Sequence, residues 1–431
     1  MQRVRTSLFS RTNIAFYLLA FLCVCFLSPW LQRTLGTKVV VAFLGGYLFL
    51  EIDHLCKVFP LGRKVMVLIA LYIGMLLLYT VLRLSDKGAG QTVCVLFMLT
   101  FFMIVPIYNR LNKRQCLIII LICILTMLFT MLQNYYLWER MGHRMTQQWY
   151  RTAGILEVVN TQYVSATVLF SGVLFSVFLY SKKLACRCVC LASAALAFLF
   201  NIVITQRAAS LFISLAMFLL LYFCNGKNIL SKGIRNIMLV LSGILFIFFY
   251  KYILGNLSII VNSERLMSRI NSLIQLMESQ DVSQIDRGSL SGRIQLTMIS
   301  INTFFSSPSN FFFGVGDKLD NYLVGNHCYF FDEFAKFGLF GGILSCSIIG
   351  GMILSAIYIS SINPKERLFK LITAMYIIVV FRALTGGLWA PSIGIMINIF
   401  IPLAFKLMKY EGQSEFDMIK PNIKSNGSLL Y

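Results

Sequence analysis

Arg207, Arg293 and His327 are the residues of this chain whose types and setting could do chemistry. A guanidinium grips phosphate or carboxylate oxygens through directional, charge-assisted hydrogen bonds. An imidazole titrates near neutral pH and can accept a proton from a reacting hydroxyl. Each stands in a segment punctuated by glycine or small polar residues: Thr205-Gln-Arg207-Ala208, Ser291-Gly-Arg293, and Asn326-His327, with Gly314-Val-Gly316 and Gly338-Leu-Phe-Gly341 around the last. Arg151-Thr-Ala-Gly154 followed by Asn160 is a similar element earlier in the chain. Arg265 and Arg269 lie one turn apart, with Leu266, Ile270, Leu273 and Met277 on another face, which reads as an amphipathic surface helix resting on a membrane. So many arginines in these segments point to an anionic ligand.

What positions these residues is a membrane scaffold. The 431 residues are 58% hydrophobic, 14% aromatic and 13% charged, where soluble chains run at about 45–50% apolar and about 25% charged. Apolar runs of bilayer-crossing length fall near 13–32, 38–56, 65–82, 91–108, 116–134, 158–180, 185–205, 208–224, 236–254, 338–359, 369–387 and 389–407. The expected fold is an all-α polytopic membrane protein of about 12 transmembrane helices, with a large helical outer loop between helices 9 and 10. The basic N-terminus resembles a signal peptide but lacks a small-x-small cleavage site, so it reads as a retained first helix.

A net charge of +21 would suggest nucleic acid in a soluble chain. Here the short connectors that would be cytoplasmic carry three Lys or Arg each, so orientation by the positive-inside rule accounts for the charge and no nucleic-acid partner is expected. Both termini then lie in the cytoplasm. The chain divides into helices 1–9 at 1–254 (with an outer loop at 133–160), the large outer loop at 255–337, helices 10–12 at 338–410, and a disordered cytoplasmic tail at 411–431. The two long outer segments break the charge pattern by bearing arginines: Arg140, Arg144 and Arg151 in the first, Arg265, Arg269, Arg287 and Arg293 in the second.

Within the large loop, a helix is expected over 292–305, with Ser291 as its N-cap and Arg293 in its first turn, where the positive helix end and the guanidinium would attract an anion together. Ser306-Ser-Pro308 stops it. Residues 328–337, aromatic with Asp332 and Glu333, are expected at the outer surface, and Gly338, Gly341 and Gly342 would permit a bend or close helix contact before the next span. Glu51, Asp53 and His54 read as interfacial rather than as a proton relay. Arg382 and Trp389, flanking the last outer turn, could line the site or anchor the helices. The twelve cysteines, including Cys186-x-Cys188-x-Cys190, read as core residues, and no disulfide is implied.

In order, spacing and outer placement, R-x-x-G…N at 151–160, T-Q-R-A at 205–208, S-G-R at 291–293, G-V-G at 314–316, His327 and G-L-F-G at 338–341 resemble the signature of bacterial O-antigen and capsular polysaccharide polymerases (Wzy-type) of the O-antigen ligase-like superfamily. Two positions depart from it: the Asn that usually follows the His is Cys328, with Asn326 preceding, and the acidic residue usual two before the first closing Gly is Lys336. The resemblance implies a glycosyltransferase of the bacterial inner membrane acting on undecaprenyl-diphosphate-linked oligosaccharides. It would polymerise repeat units into O-antigen or capsular polysaccharide at the outer face.

On that reading Arg207, Arg293 and His327 form the catalytic set. The arginines hold the charge of the leaving diphosphate, and His327 takes the proton of the acceptor hydroxyl. Arg151, Asn160, Arg265, Arg269 and Asn326 bind substrate. Each of the three also has a plainer reading: Arg207 as a snorkelling helix-end residue, Arg293 as a headgroup anchor, His327 as a helix-capping surface histidine. No D-x-D pair in an outer loop and no H-x-x-x-H occur, so transfer is expected to need no metal and no cofactor, with inversion at the anomeric carbon. The lipid bilayer is one partner and a chain-length regulator a further candidate. A ligase moving the finished glycan to lipid A core uses the same donor chemistry; the His-Cys pair and an Ile/Phe/Asn-rich chain favour the polymerase by resemblance. A lipid-linked sugar flippase is the third reading, but midplane charges and repeated halves are missing from the sequence.

Overall fold

In hydrocarbon no water can satisfy a backbone N–H or C=O, so an apolar run of membrane length closes its hydrogen bonds within itself as helix. A computed structural model describes residues 10–55, 57–82, 89–106, 108, 110–140, 161–203, 208–225, 290–317, 323–325, 328–362 and 366–419. Among them helix predominates and no strand occurs. The helices are α1 (Arg11–Leu27), α2 (Pro29–Leu35), α3 (Thr37–Leu50), α4 (Ile52–Leu55), α5 (Pro60–Val81), α6 (Ala89–Ile104), α7 (Lys113–Arg140), α8 (Thr161–Tyr180), α9 (Leu184–Val203), α10 (Ala208–Cys224), α11 (Leu290–Phe305), α12 (Pro308–Phe313), α13 (Tyr329–Ser360), α14 (Arg367–Thr385), α15 (Pro391–Ile395) and α16 (Ile401–Ile419).

Helices occupy the predicted runs from 13–32 to 208–224 and the three from 338–359 onward; the run at 236–254 lies outside the described residues. Six segments, Pro60–Val81, Lys113–Tyr136, Tyr163–Tyr180, Leu184–Asn201, Tyr329–Ser360 and Pro391–Glu411, are long and apolar enough to cross a membrane. Arg11–Leu27, Thr37–Leu50, Thr92–Ile104 and Ile213–Cys224 are apolar but shorter. The chain is a helical, membrane-spanning protein.

The last apolar segment is the axis of the bundle. Every residue from Pro391 to Lys406 is buried, and a single π-helical turn, Met396–Phe400, joins α15 to α16. A wider turn loosens the backbone ladder, and neighbours take up the slack: the Tyr376 hydroxyl donates to the Ile397 carbonyl at 2.9 Å, and Asn398 Nδ2 donates to Thr100 Oγ1 at 2.9 Å. The helix continues to Ile419, past Glu411.

The two ends of the bundle differ in chemistry. At one end Arg110 pairs with the buried Glu51, Arg11 with Asp53 at 2.7 Å, and Lys406 Nζ donates to the Tyr108 carbonyl at 2.8 Å. There Arg367 also donates to the Leu179 carbonyl and to Asn225, and Lys409 to the Ser361 carbonyl. Glu51 and Asp53 are thus ion-paired at the end of α3 and in α4. The opposite, loop-bearing end holds α11, α12 and the start of α13.

Two local expectations change. The helix expected over 292–305 begins at Leu290, so Ser291 lies inside it and does not cap it. The segment 328–337 is helical from Tyr329 and packed inward: Asp332 is 6% and Glu333 3% exposed, because Ser300 of α11, Tyr72 of α5 and Trp389 of the connector between α14 and α15 reach them. The stop at Ser306-Ser-Pro308 holds, with Ser307 capping α12 through the Asn310 N–H and Pro308 in its first turn. The bend expected near Gly338 is present as a break inside α13, where φ is 66° and ψ −166°.

Candidate functional site at the loop-bearing end

The break at Gly338 separates a short helix, 329–337, from the long membrane helix that follows. The short piece is held at both ends and in its middle. At its start, Cys328 is the N-cap, and its N–H donates to Asp332 Oδ2 at 2.9 Å. The other oxygen of Asp332 accepts the Ser300 hydroxyl of α11 at 2.6 Å, and Ser300 Oγ accepts the Gly325 N–H at 2.9 Å. One buried carboxylate therefore ties α11 to the residues flanking Asn326-His327 in sequence.

At its end, the break leaves carbonyls without helical partners. Those of Ala335 and Lys336 accept the N–H groups of Val315 and Gly316 at 3.0 and 2.8 Å. The Gly314-Val-Gly316 element is thus a backbone cap on the short helix. A Cβ on Gly314 would overlap the Lys336 carbonyl, and one on Gly338 the Phe312 carbonyl. Lys336, where an acidic residue is usual in the resembled signature, forms an ion pair with Asp317 at 2.9 Å, so the reversed charge is matched one residue beyond the glycine element.

In the middle, Glu333 accepts the Tyr72 hydroxyl from α5 and the Trp389 indole N–H at 3.0 Å. Tyr72, Phe337 and Trp389 enclose it, with Tyr329 edge-on to Trp389 at 4.8 Å. A carboxylate so buried is stable only with its oxygens hydrogen-bonded, and these donors come from parts of the chain far apart in sequence.

α11 reaches the same place. Leu296 of α11 presents its carbonyl to Gly325, and Arg293 stands two turns before Ser300 on that helix. Seven residues of helix set the backbone positions of Arg293 and Ser300 about 10 Å apart along the axis. Beside Cys328, its Sγ lies 4.0 Å from the Ala383 carbonyl in the last turn of α14. The next side chain back, Arg382, donates through Nε to Ser165 Oγ at 2.7 Å, one turn into α8. The helix that follows the Arg151…Asn160 element and the helix that follows His327 are therefore joined through the end of α14. Cys328 is fully buried, and burial pushes its thiol pKa up.

No family model matches this chain, and no curated protein does. The candidate residues Arg151, Asn160, Arg207, Arg265, Arg269, Asn326 and His327 lie outside the described residues, as do 141–160 and 226–289. What converges among the described residues is their surroundings: the middle of α11, at Leu296 and Ser300, the glycine element at 314–316, both flanks of Asn326-His327, and the start of α8. Of the residues that bind these pieces together, Ser300, Asp332, Glu333 and Tyr72 have no role assigned from sequence, whereas Trp389 reads there as lining the site or anchoring the helices. The one available signal was an acidic pair in an otherwise aromatic segment, where a carboxylate needs donors to be tolerated.

Proposed function

We propose that this chain is a membrane glycosyltransferase that polymerises undecaprenyl-diphosphate-linked oligosaccharide repeat units into O-antigen or capsular polysaccharide. The reaction would take place at the outer face of the bacterial inner membrane, in a scaffold of twelve spans with both termini in the cytoplasm. Arg293 and Arg207 would hold the diphosphate as charge develops on it, with Arg151, Asn160, Arg265, Arg269 and Asn326 contacting substrate. His327 would receive the proton of the attacking sugar hydroxyl. The growing chain leaves its lipid carrier as the new glycosidic bond forms.

One observation carries the reading. The helix that carries Arg293, the Gly314-Val-Gly316 element and the flanks of His327 all attach to the short helix 329–337 at one end of the bundle, through Ser300–Asp332, the Cys328 N–H and the Val315 and Gly316 N–H groups. Five basic residues, Arg11, Arg110, Arg367, Lys406 and Lys409, gather at the other end, as the positive-inside rule expects if the site faces away from the cytoplasm. A site at a membrane boundary suits a donor whose diphosphate sits at the interface and whose sugar is in water.

The test is deletion of the gene followed by gel separation of the cell-surface polysaccharide. A product capped with a single repeat unit is the expected outcome. Polysaccharide of normal length would rule the polymerase out, loss of all attached polysaccharide would mark a ligase, and intermediates trapped on the inner leaflet a flippase.

A further inference from the structure

From the loop-bearing end, the geometry points to a membrane-docking surface: we infer that α12 and the adjoining end of α11 lie in the lipid interface, with Phe305, Phe312 and Phe313 inserted among headgroups and upper acyl chains. The occupant is the bilayer in which the bundle itself sits. The inference stands without the glycosyl-transfer reading.

It rests first on continuity with the lipid-facing side of a span. Beyond the break at Gly338, the exposed apolar residues of α13 are Phe340, Ile343, Leu354 and Tyr358, a single stripe at helical spacing. At the top of that stripe Phe340, 66% exposed, stacks with Phe312 of α12, centroids 6.3 Å apart and planes 30° apart. Phe313, 62% exposed, is held from the other side, its carbonyl accepting the hydroxyl of Tyr79 near the end of α5. α5 and its C-cap expose Val67, Leu71, Leu77, Leu78, Val81 and Leu82, again the pattern of a helix against acyl chains. The open face of α12 thus prolongs two lipid-facing surfaces without interruption.

The chemistry of the segment agrees. From 294 to 316 there is no charged residue. Three polar side chains in the turn are bonded locally: Ser306 Oγ donates to the Thr303 carbonyl at 2.7 Å, Asn310 Nδ2 to Ser306 Oγ at 2.8 Å, and Ser307 Oγ accepts the Asn310 N–H at 3.1 Å. Lowering this turn into the interface therefore strands few donors. Beside it, Ile301, Phe304, Phe305, Phe331 and Phe334 line an apolar cavity of about 160 Å³. Aromatic side chains with this mixture of area and rigidity favour the membrane–water boundary. Because Gly314 follows directly, the docked helix would fix the depth of the Gly314-Val-Gly316 cap, and with it the height of the short helix 329–337 above the acyl chains.

The test uses the full chain in phospholipid vesicles, with a tryptophan introduced as Phe313→Trp and its fluorescence taken by difference from the unsubstituted protein. Leu354→Trp, in the middle of the stripe on α13, is the lipid-facing standard. Brominated phosphatidylcholine should quench Phe313→Trp at least half as strongly as Leu354→Trp, while iodide in the water leaves it nearly unchanged. Quenching by iodide with none from the brominated lipid would put α12 in water and overturn the inference. Protection from both quenchers would mean protein covers it, a second copy included, and would overturn it equally. Phe312→Trp, on the same face, provides the reading if Phe313→Trp does not reach the membrane.

Discussion

Gly314 and Gly338 meet backbone to backbone: the space a Cβ would need at each is already taken by the chain beside the other. Both have φ near +70°, 69° and 66°, with ψ close to 180°, a region only glycine occupies readily. The close approach is what lets Val315 and Gly316 cap the short helix. Gly314→Ala or Gly338→Ala should each cost at least about 1–3 kcal/mol from backbone strain alone, with overlap adding to it. Thermal unfolding of the purified protein checks this, with Gly350→Ala, where a Cβ meets nothing within 4 Å, expected to behave as the unsubstituted chain.

Asp332 joins Ser300 and the Cys328 N–H, both buried. Asp332→Ala removes the acceptor for two donors and should destabilise by about 1–3 kcal/mol per group left unsatisfied. Asp332→Asn keeps the shape and one acceptor oxygen, so it should recover part of the loss. Melting temperatures of the pair, set beside Ser300→Ala, decide it: equal stability for Ala and Asn would show that the bonds to Asp332 contribute little.

Much of this end of the fold was legible from sequence, and part was not. Hydropathy located the helices because a lipid-embedded backbone has no other way to satisfy itself. Proline and glycine located the turn at Ser307-Pro308 and the bend at Gly338, since both act through their own φ and ψ. Residues 328–337 were misplaced at the surface, because an aromatic segment with two carboxylates has the composition of an interface. Whether it is buried depends on Ser300, Tyr72 and Trp389, which lie 32, 261 and 56 residues from their carboxylate partners. Periodicity describes one helix at a time and says nothing about such pairs. The Lys336–Asp317 ion pair was hidden in the same way, so Lys336 looked like a plain departure from the expected acid.

That pair carries its own prediction. Lys336 is 16% and Asp317 30% exposed, so water screens the attraction only in part. Lys336→Ala and Asp317→Ala should each destabilise, and the double substitution should cost less than their sum, with a coupling of about 1 kcal/mol. Strict additivity in chemical or thermal unfolding would mean the two charges act independently.

Cys328 offers a probe of the packing next to His327. Its side chain is inaccessible, and burial raises its pKa above the usual thiol value. As the thiolate is the reactive form, the folded protein should not be alkylated there by maleimide at neutral or mildly alkaline pH, and should become so after denaturation. Peptide mapping reads the outcome. Rapid labelling of Cys328 in the native protein would mean that the start of α13 opens.

The proposed action of Arg293 and His327 on a lipid-linked diphosphate sugar is tested most directly by reconstitution. Purified protein in proteoliposomes, given undecaprenyl-diphosphate-linked oligosaccharide, should yield products of more than one repeat unit. Arg293→Ala and His327→Ala should each abolish extension while melting like the unsubstituted chain. Full-length products from both variants would contradict the account.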